Sequence, residues 1–190
     1  MQNNVGIYAS QISGHLWAPN GAMDALATIT VPSGGAASIA FTGIPQGYKH
    51  LQIRGIHRSD ISSSGNNIGM YMRFNGDTAS NYYWHELAGN GSSPMAYGQA
   101  DTGINASPHG PRSGDTASAF NADIIDILDY ASDSKFKTSR ALVGDDLNGG
   151  GWIHLASGLW RSTAPVTSIT FFLESSNFAQ YSQLALYGVK

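Results

Sequence analysis

The run RFNGDTASNYYWHEL, residues 73–87, gathers Arg73, Asp77, His85 and Glu86 with Tyr82, Tyr83 and Trp84. Acid–base catalysis and sugar stacking both draw on these residue types. Adjacent residues of a strand point to opposite faces, so His85 and Glu86 do not form one acid–base pair with each other. A catalytic reading therefore requires Asp77 or a distant residue to come within hydrogen-bond reach of His85. The pair Asn75-Gly76 is a turn signal, because a type I′ turn needs positive φ at both central positions. With strand-like IGMYMRF before it and NYYWHEL after it, the economical reading is a β-hairpin. The turn could also take in Asp77 to Ser80, and its length sets whether Tyr83 and His85 or Tyr82, Trp84 and Glu86 face the core.

Other enzyme signatures are missing: there is no G-x-S-x-G, H-E-x-x-H, P-loop or G-x-G-x-x-G. The six histidines are scattered, and His50 and His57 fall on opposite faces of one strand, which disfavours a shared metal. Asp145-Asp146 before LNGGG, and the series Asp123, Asp126 and Asp129, invite a calcium reading. Hard cations need about six or more oxygens, and neither stretch has the ligand spacing of a known calcium loop. A solvated glycine turn is the plainer account of Asp145 to Gly151. Polysaccharide cleavage needs paired carboxylates; Asp77, Glu86, Asp101, Asp115 and Glu174 are candidates only because acids are few. No catalytic residue, metal site or cofactor is assigned.

Aromatic side chains make the better case, for binding. Tyr83, Trp84, His85, Tyr97 and Trp152 are the candidate contacts to a glycan or protein partner, although Trp and Tyr also fill sandwich cores. In WIHLASGLW, residues 152–160, Trp152, His154 and Trp160 share one face while Ile153, Leu155 and Leu159 share the other. One side is expected in the core and the other against a partner. Asn90-Gly91-Ser92 and Asn105-Ala106-Ser107 match the glycosylation sequon, a coincidence without secretion.

The positioning framework reads as all-β. Candidate strands are 25–31, 37–41, 49–58, 68–74, 81–87, 118–128, 136–143, 152–160, 166–173 and 183–189, separated by Gly, Asn, Ser or Pro clusters. Alternation sets Leu51 and Ile53 against Gln52 and Arg54, and Met70, Met72 and Phe74 against Tyr71 and Arg73. In 118–128 the aspartates recur every third residue, as on a helix, but the β-branched Ile124, Ile125 and Ile127 favour a strand. A β-sandwich over 25–190 follows, with an arm over 1–24 whose Ile7, Ile12, Leu16 and Trp17 are candidate contacts to a surface they would cover, either this domain's own, as a first strand folded back on the sandwich, or a neighbouring subunit's. Residues 88–117 read as a long polar connection, too rich in Gly, Ser and Pro for a sheet interior.

Only 12% of the 190 residues are charged, against about a quarter in average domains. A net charge of −3 supplies no field for nucleic acid. There is no cysteine, so packing, hydrogen bonds and association must supply stability. No apolar run approaches the roughly 18 residues of a membrane span, and MQNNVGIYAS lacks the features of a signal peptide. Synthesis in the cytoplasm is the expectation.

FTGIPQGYKHLQIRG, RFNGDTASNYYWHEL, DIIDILDY followed by KFKT, SGLWRSTAPVTSIT and the terminal FAQYSQLALYGVK, in this order, resemble a group of virion structural proteins of tailed bacteriophages common among marine and cyanobacterial phages. The resemblance covers roughly residues 25–190. It implies a jelly-roll-like β-sandwich serving as a capsid decoration (cement) protein or as the tip of a fibre, with no catalytic residues to carry over and structural roles for Asn75, Gly76, Tyr82, Trp160 and Tyr187. A fibre normally needs a stem, whereas a short arm suffices to grip a shell. The expectation is therefore a decoration protein on the capsid surface of the virion, bound to the major capsid protein and assembled as a homotrimer. A fibre tip that recognises a host glycan is the alternative.

Overall fold

A computed structural model describes residues 21–65 and 68–190. Its strands are β1 (Met23–Thr30), β2 (Ser38–Thr42), β3 (His50–His57), β4 (Met70–Phe74), β5 (Tyr82–Gly89) and β6 (Pro94–Asp101). They continue as β7 (Ile104–Ser107), β8 (Asn121–Leu128), β9 (Lys137–Asp146), β10 (Gly151–Trp160), β11 (Ser168–Leu173) and β12 (Gln183–Val189). The described residues contain no helix. Two antiparallel sheets pack face to face as a β-sandwich: eight strands in the order β1-β12-β3-β8-β9-β10-β5-β6, and four in the order β2-β11-β4-β7. This partition differs from the two four-stranded sheets of a simple eight-stranded jelly roll.

The period-two patterns place the core as expected. Leu51, Ile53, Ile125, Ile127, Leu184 and Leu186 point inward from the larger sheet. They meet Ile39, Phe41, Met70, Met72, Phe74, Ile169 and Phe171 from the smaller one. Within the 118–128 segment Ser118 lies in a turn and Asn121–Leu128 is a strand, with Asp123 inward and Ile124 and Asp126 on the other face. Its hydrogen-bond ladders to β3 and β9 override the three-residue recurrence of its aspartates.

Two expectations are corrected. Asn75 and Gly76 form the anticipated turn, with φ of 52° and 68° and an Asp77 N–H to Phe74 O bond of 2.9 Å. The turn does not close a hairpin, however: β4 lies in the smaller sheet and β5 in the larger, so the chain crosses between layers. The Asn75 side chain is held instead by β11 and the segment before it. Its Oδ1 accepts from the N–H groups of Thr167 (2.8 Å) and Ser168 (3.1 Å), and its Nδ2 donates to Pro165 O at 2.9 Å.

The second correction concerns residues 88–117, which are not an unstructured connection. They hold β6, an edge strand opened by Pro94 where a missing N–H costs least, and β7, whose residues are all buried. The weak signal has a cause: β6 faces no second layer that would demand large apolar side chains, and β7 is short and half polar. β7 crosses under β10 where Gly158 leaves space; a Cβ there would lie 2.4 Å from Ile104 Cγ2. Asn105, in the second sequon, is buried in this strand. The arm's candidate contacts Ile7, Ile12, Leu16 and Trp17 lie outside the described residues.

Candidate functional site

The opening cluster is dispersed by the layer crossing. Asp77 accepts hydrogen bonds from Trp160 Nε1 at 2.7 Å, Asn81 Nδ2 at 3.1 Å and the Ala79 N–H at 2.9 Å. These bonds, that of Trp160 foremost, hold its carboxyl below the usual carboxylate range. Asp77 is thus committed to the corner beneath Trp160 and Tyr82, whose rings stack with centroids 6.3 Å apart. His85 is exposed on the outer face of the larger sheet, and Glu86 is buried on the inner face.

Two histidine–carboxylate contacts formed between strands were invisible in local spacing. His57 Nδ1 lies 2.7 Å from Asp123 Oδ2, joining β3 to β8, and both side chains are buried. His154 Nδ1 lies 3.3 Å from Glu86 Oε2, joining β10 to β5. Neither is laid out for chemistry. A Cβ on Gly110 would fall 2.6 Å from His57 Nε2, so backbone closes off the free side of that ring. His154 is covered by His109, at 4.9 Å between ring centroids, and by Trp152, at 5.6 Å. A reacting group needs access to its base, and these contacts sit between the sheets. Lys137 is buried likewise, its Nζ donating to the carbonyls of Ser132 and Lys135 at 2.7 Å and of Thr163 at 3.0 Å. Burial lowers its pKa. Among the described residues no group of three or more His, Asp or Glu side chains is placed to hold a metal ion.

The candidate binding aromatics do not converge. Trp84 is buried between the layers and points its Nε1 toward Asp101 at 3.4 Å. Trp152 lies half-buried on the same inner face, against His109. Tyr83 and His85 project from the outer face, with Arg161 5.8 Å from the Tyr83 ring. Tyr97 is exposed on the edge strand β6, opposite Glu86. The five residues are divided between two sides of one sheet, so they form no single stacking platform.

What the larger sheet exposes instead is aliphatic. On its outer face Ile124 is 41% exposed, Leu142 51%, Leu155 50% and Leu87 58%. These residues are direct cross-strand neighbours: Ile124 pairs with Leu142, Leu142 with Leu155 and Leu155 with Leu87. They make one unbroken row across β8, β9, β10 and β5. Two residues further along each strand runs a second row, Ala122, Gly144, Ile153 and Gly89, continued onto β3 by Ile56. Its small members leave an open depression of about 680 Å³ over Ala122 and Gly144, walled by Ile124, Leu142 and Ile153. Single exposed leucines are ordinary, but a contiguous apolar patch is the mark of an interaction surface.

Of these residues the sequence pointed only to those of β10, where WIHLASGLW is apolar on both faces. The structure places His154 and Trp160 inward and Ile153 and Leu155 outward. The row depends on register between four strands, which no single segment displays.

The chain matches no protein-family model, no curated protein and no solved structure.

Proposed function

We propose that this protein is a structural component of a bacteriophage virion: a capsid decoration protein that binds the major capsid protein and stabilises the head shell. The observation that carries this reading is the continuous aliphatic row on the open face of the larger sheet, a surface suited to a lasting protein interface. The buried His57–Asp123 contact supports it from the other side, since it ties β3 to β8 and its ring is closed off by the backbone at Gly110. The resemblance of residues 25–190 to phage virion proteins supplies the biological setting. Stabilisation works by linkage: a protein that binds the assembled shell and not its dissociated subunits lowers the free energy of the shell.

Immunolabelling of intact particles of a phage that carries this protein tests the reading. Label spread over the head is expected, and heads lacking the protein should rupture at a lower temperature than heads to which it has been restored. Label confined to the tail tip overturns the proposal in favour of a receptor-binding tip that recognises a host glycan. The division of Tyr83, Trp84, His85, Tyr97 and Trp152 between two sides of a sheet weighs against that alternative.

A further inference from the structure

We propose that the open face of the eight-stranded sheet pairs with the same face of a second copy of this chain, as a two-fold dimer. The inference rests on the reading of this face as a protein interface and names its occupant as a second copy, so that contact with the shell falls to the surfaces the pair leaves open. It replaces the three-fold ring expected from the sequence, because a broad face that matches itself closes as an isologous pair.

The match is seen by laying one copy on another about a two-fold axis that runs across the strands, midway between the two apolar rows. Each strand then lies antiparallel to its own counterpart, in the aligned manner of packed sheets. Residues of the first row fall on residues of the second: Ile124 over the partner's Ala122, Leu142 over the partner's Gly144, and Leu87 over the partner's Gly89. Large side chains meet small ones at all three places, which is how facing layers interdigitate. At the remaining place Leu155 meets the partner's Ile153, an aliphatic contact at the centre.

One flanking polar pair, on β9, agrees with the same axis, whereas Arg54, which continues the first row onto β3, falls over the partner's Ile56. Along β9 the outward residues are Arg140, Leu142, Gly144 and Asp146. The operation that sets Leu142 over Gly144 sets Arg140 over Asp146, and symmetry repeats the pair. A like-charged couple at these positions would have repelled; the sequence supplies opposite charges. The extent is adequate. Six strands from β3 to β6 at a spacing of ~4.8 Å, and about seven residues at ~3.3 Å each, give a plane of roughly 650 Å² per copy. Side-chain relief raises the true area toward the roughly 800 Å² per partner of stable complexes.

The test is sedimentation equilibrium of the full-length chain over a concentration series, with circular dichroism to verify folding. The native protein is expected at twice its chain mass of 20.1 kDa. Arg140→Asp and Asp146→Arg should each weaken dimerisation at least about tenfold, and the double variant should restore it to within about threefold, because only the two-fold arrangement sets these two positions against each other. Gly89→Leu is a second probe. A Cβ there meets nothing closer than Ile153 Cγ2 at 4.0 Å within its own chain, so the fold should persist while the partner's Leu87 loses its recess.

A mass of one chain at every concentration, a mass of three chains, or a dimer unmoved by both the charge exchange and Gly89→Leu overturns the proposal. A monomer whose binding to phage heads is lost in Leu142→Asp would give the face to a capsid protein, overturning the pair and leaving the proposed function standing. A monomer in which Trp17→Ala exposes β9 and β10 to hydrogen exchange would give it to the chain's own N-terminal segment. A dimer that shows no affinity for heads sustains the pair and removes the function.

Discussion

The two faces of the larger sheet reverse the usual assignment of residue types. Its inner face, sealed by the second sheet, holds His57, Asp123, Glu86, Lys137 and His154 among the aliphatics. Its outer face shows water Ile124, Leu142, Ile153, Leu155 and Leu87. The inner polar groups are tolerated because most have partners: Asp123 meets His57 and also accepts from Asn121 Nδ2 at 3.0 Å, and Lys137 has its carbonyls. The outer aliphatics have none in the monomer. The difference teaches that polarity follows the availability of partners. A buried charge is acceptable when hydrogen-bonded, and an exposed aliphatic row persists where another surface covers it.

The comparison breaks most severely at the inner contact. Asp123→Ala would leave His57 Nδ1 and the Asn121 amide without their carboxylate, and should lower stability by about 2–4 kcal/mol in urea denaturation. A loss under about 0.5 kcal/mol would mean that the contact is dispensable.

Neighbouring isoleucines of β8 supply a sharper probe, since Ile125 is fully buried and Ile124 is 41% exposed. Ile125→Ala should cost about 2–4 kcal/mol of folding stability through the cavity it leaves, measured by the same denaturation under conditions where the chain is monomeric. Ile124→Ala should change it by no more than about 0.5 kcal/mol in that monomer and weaken self-association instead. Equal losses at the two positions would erase the distinction between the faces.

The smallest expected effect lies at the far end of β8, where Asp129 follows Leu128. Its carboxylate is 2.6 Å from Lys135 Nζ and 3.2 Å from Lys49 Nζ, and these ammonium groups bring its pKa down to about 2. An aspartate whose folded pKa is depressed stabilises fully above its unfolded value near ~3.9 and loses that contribution as pH falls through the folded value. Asp129→Asn should therefore flatten the decline of stability between pH ~4 and ~2, read from thermal midpoints across that range. Asn also tolerates the left-handed backbone, φ 48° at this position, so the change isolates charge. An unaltered pH profile would show the two lysines to be idle.

Much of the framework was legible before folding was considered, for a local reason. The alternation of Leu51 with Gln52 and of Met70 with Tyr71 is fixed by the period of an extended chain, and the structure places Leu51 and Met70 inward. The positive-φ turn at Asn75-Gly76 follows from residues that bear that conformation at little cost. The edge strand and buried strand within 88–117 were not legible, because neither needed a strong apolar pattern to hold its place. The candidate site was legible only in β10. A strand apolar on both faces announces two neighbours without saying which is the core.

By itself the sequence determined an all-β chain, its principal strands and its tight turn, because side-chain period and backbone preference are local properties. Only the tertiary structure decided that β4 and β5 part into different sheets, that His57 meets Asp123 and His154 meets Glu86, and that Ile124, Leu142, Leu155 and Leu87 align in one row. Each of these is a matter of register between strands distant in the chain. The period of two is indifferent to which face is covered until the second sheet, with β7 passing beneath Gly158, takes one of them.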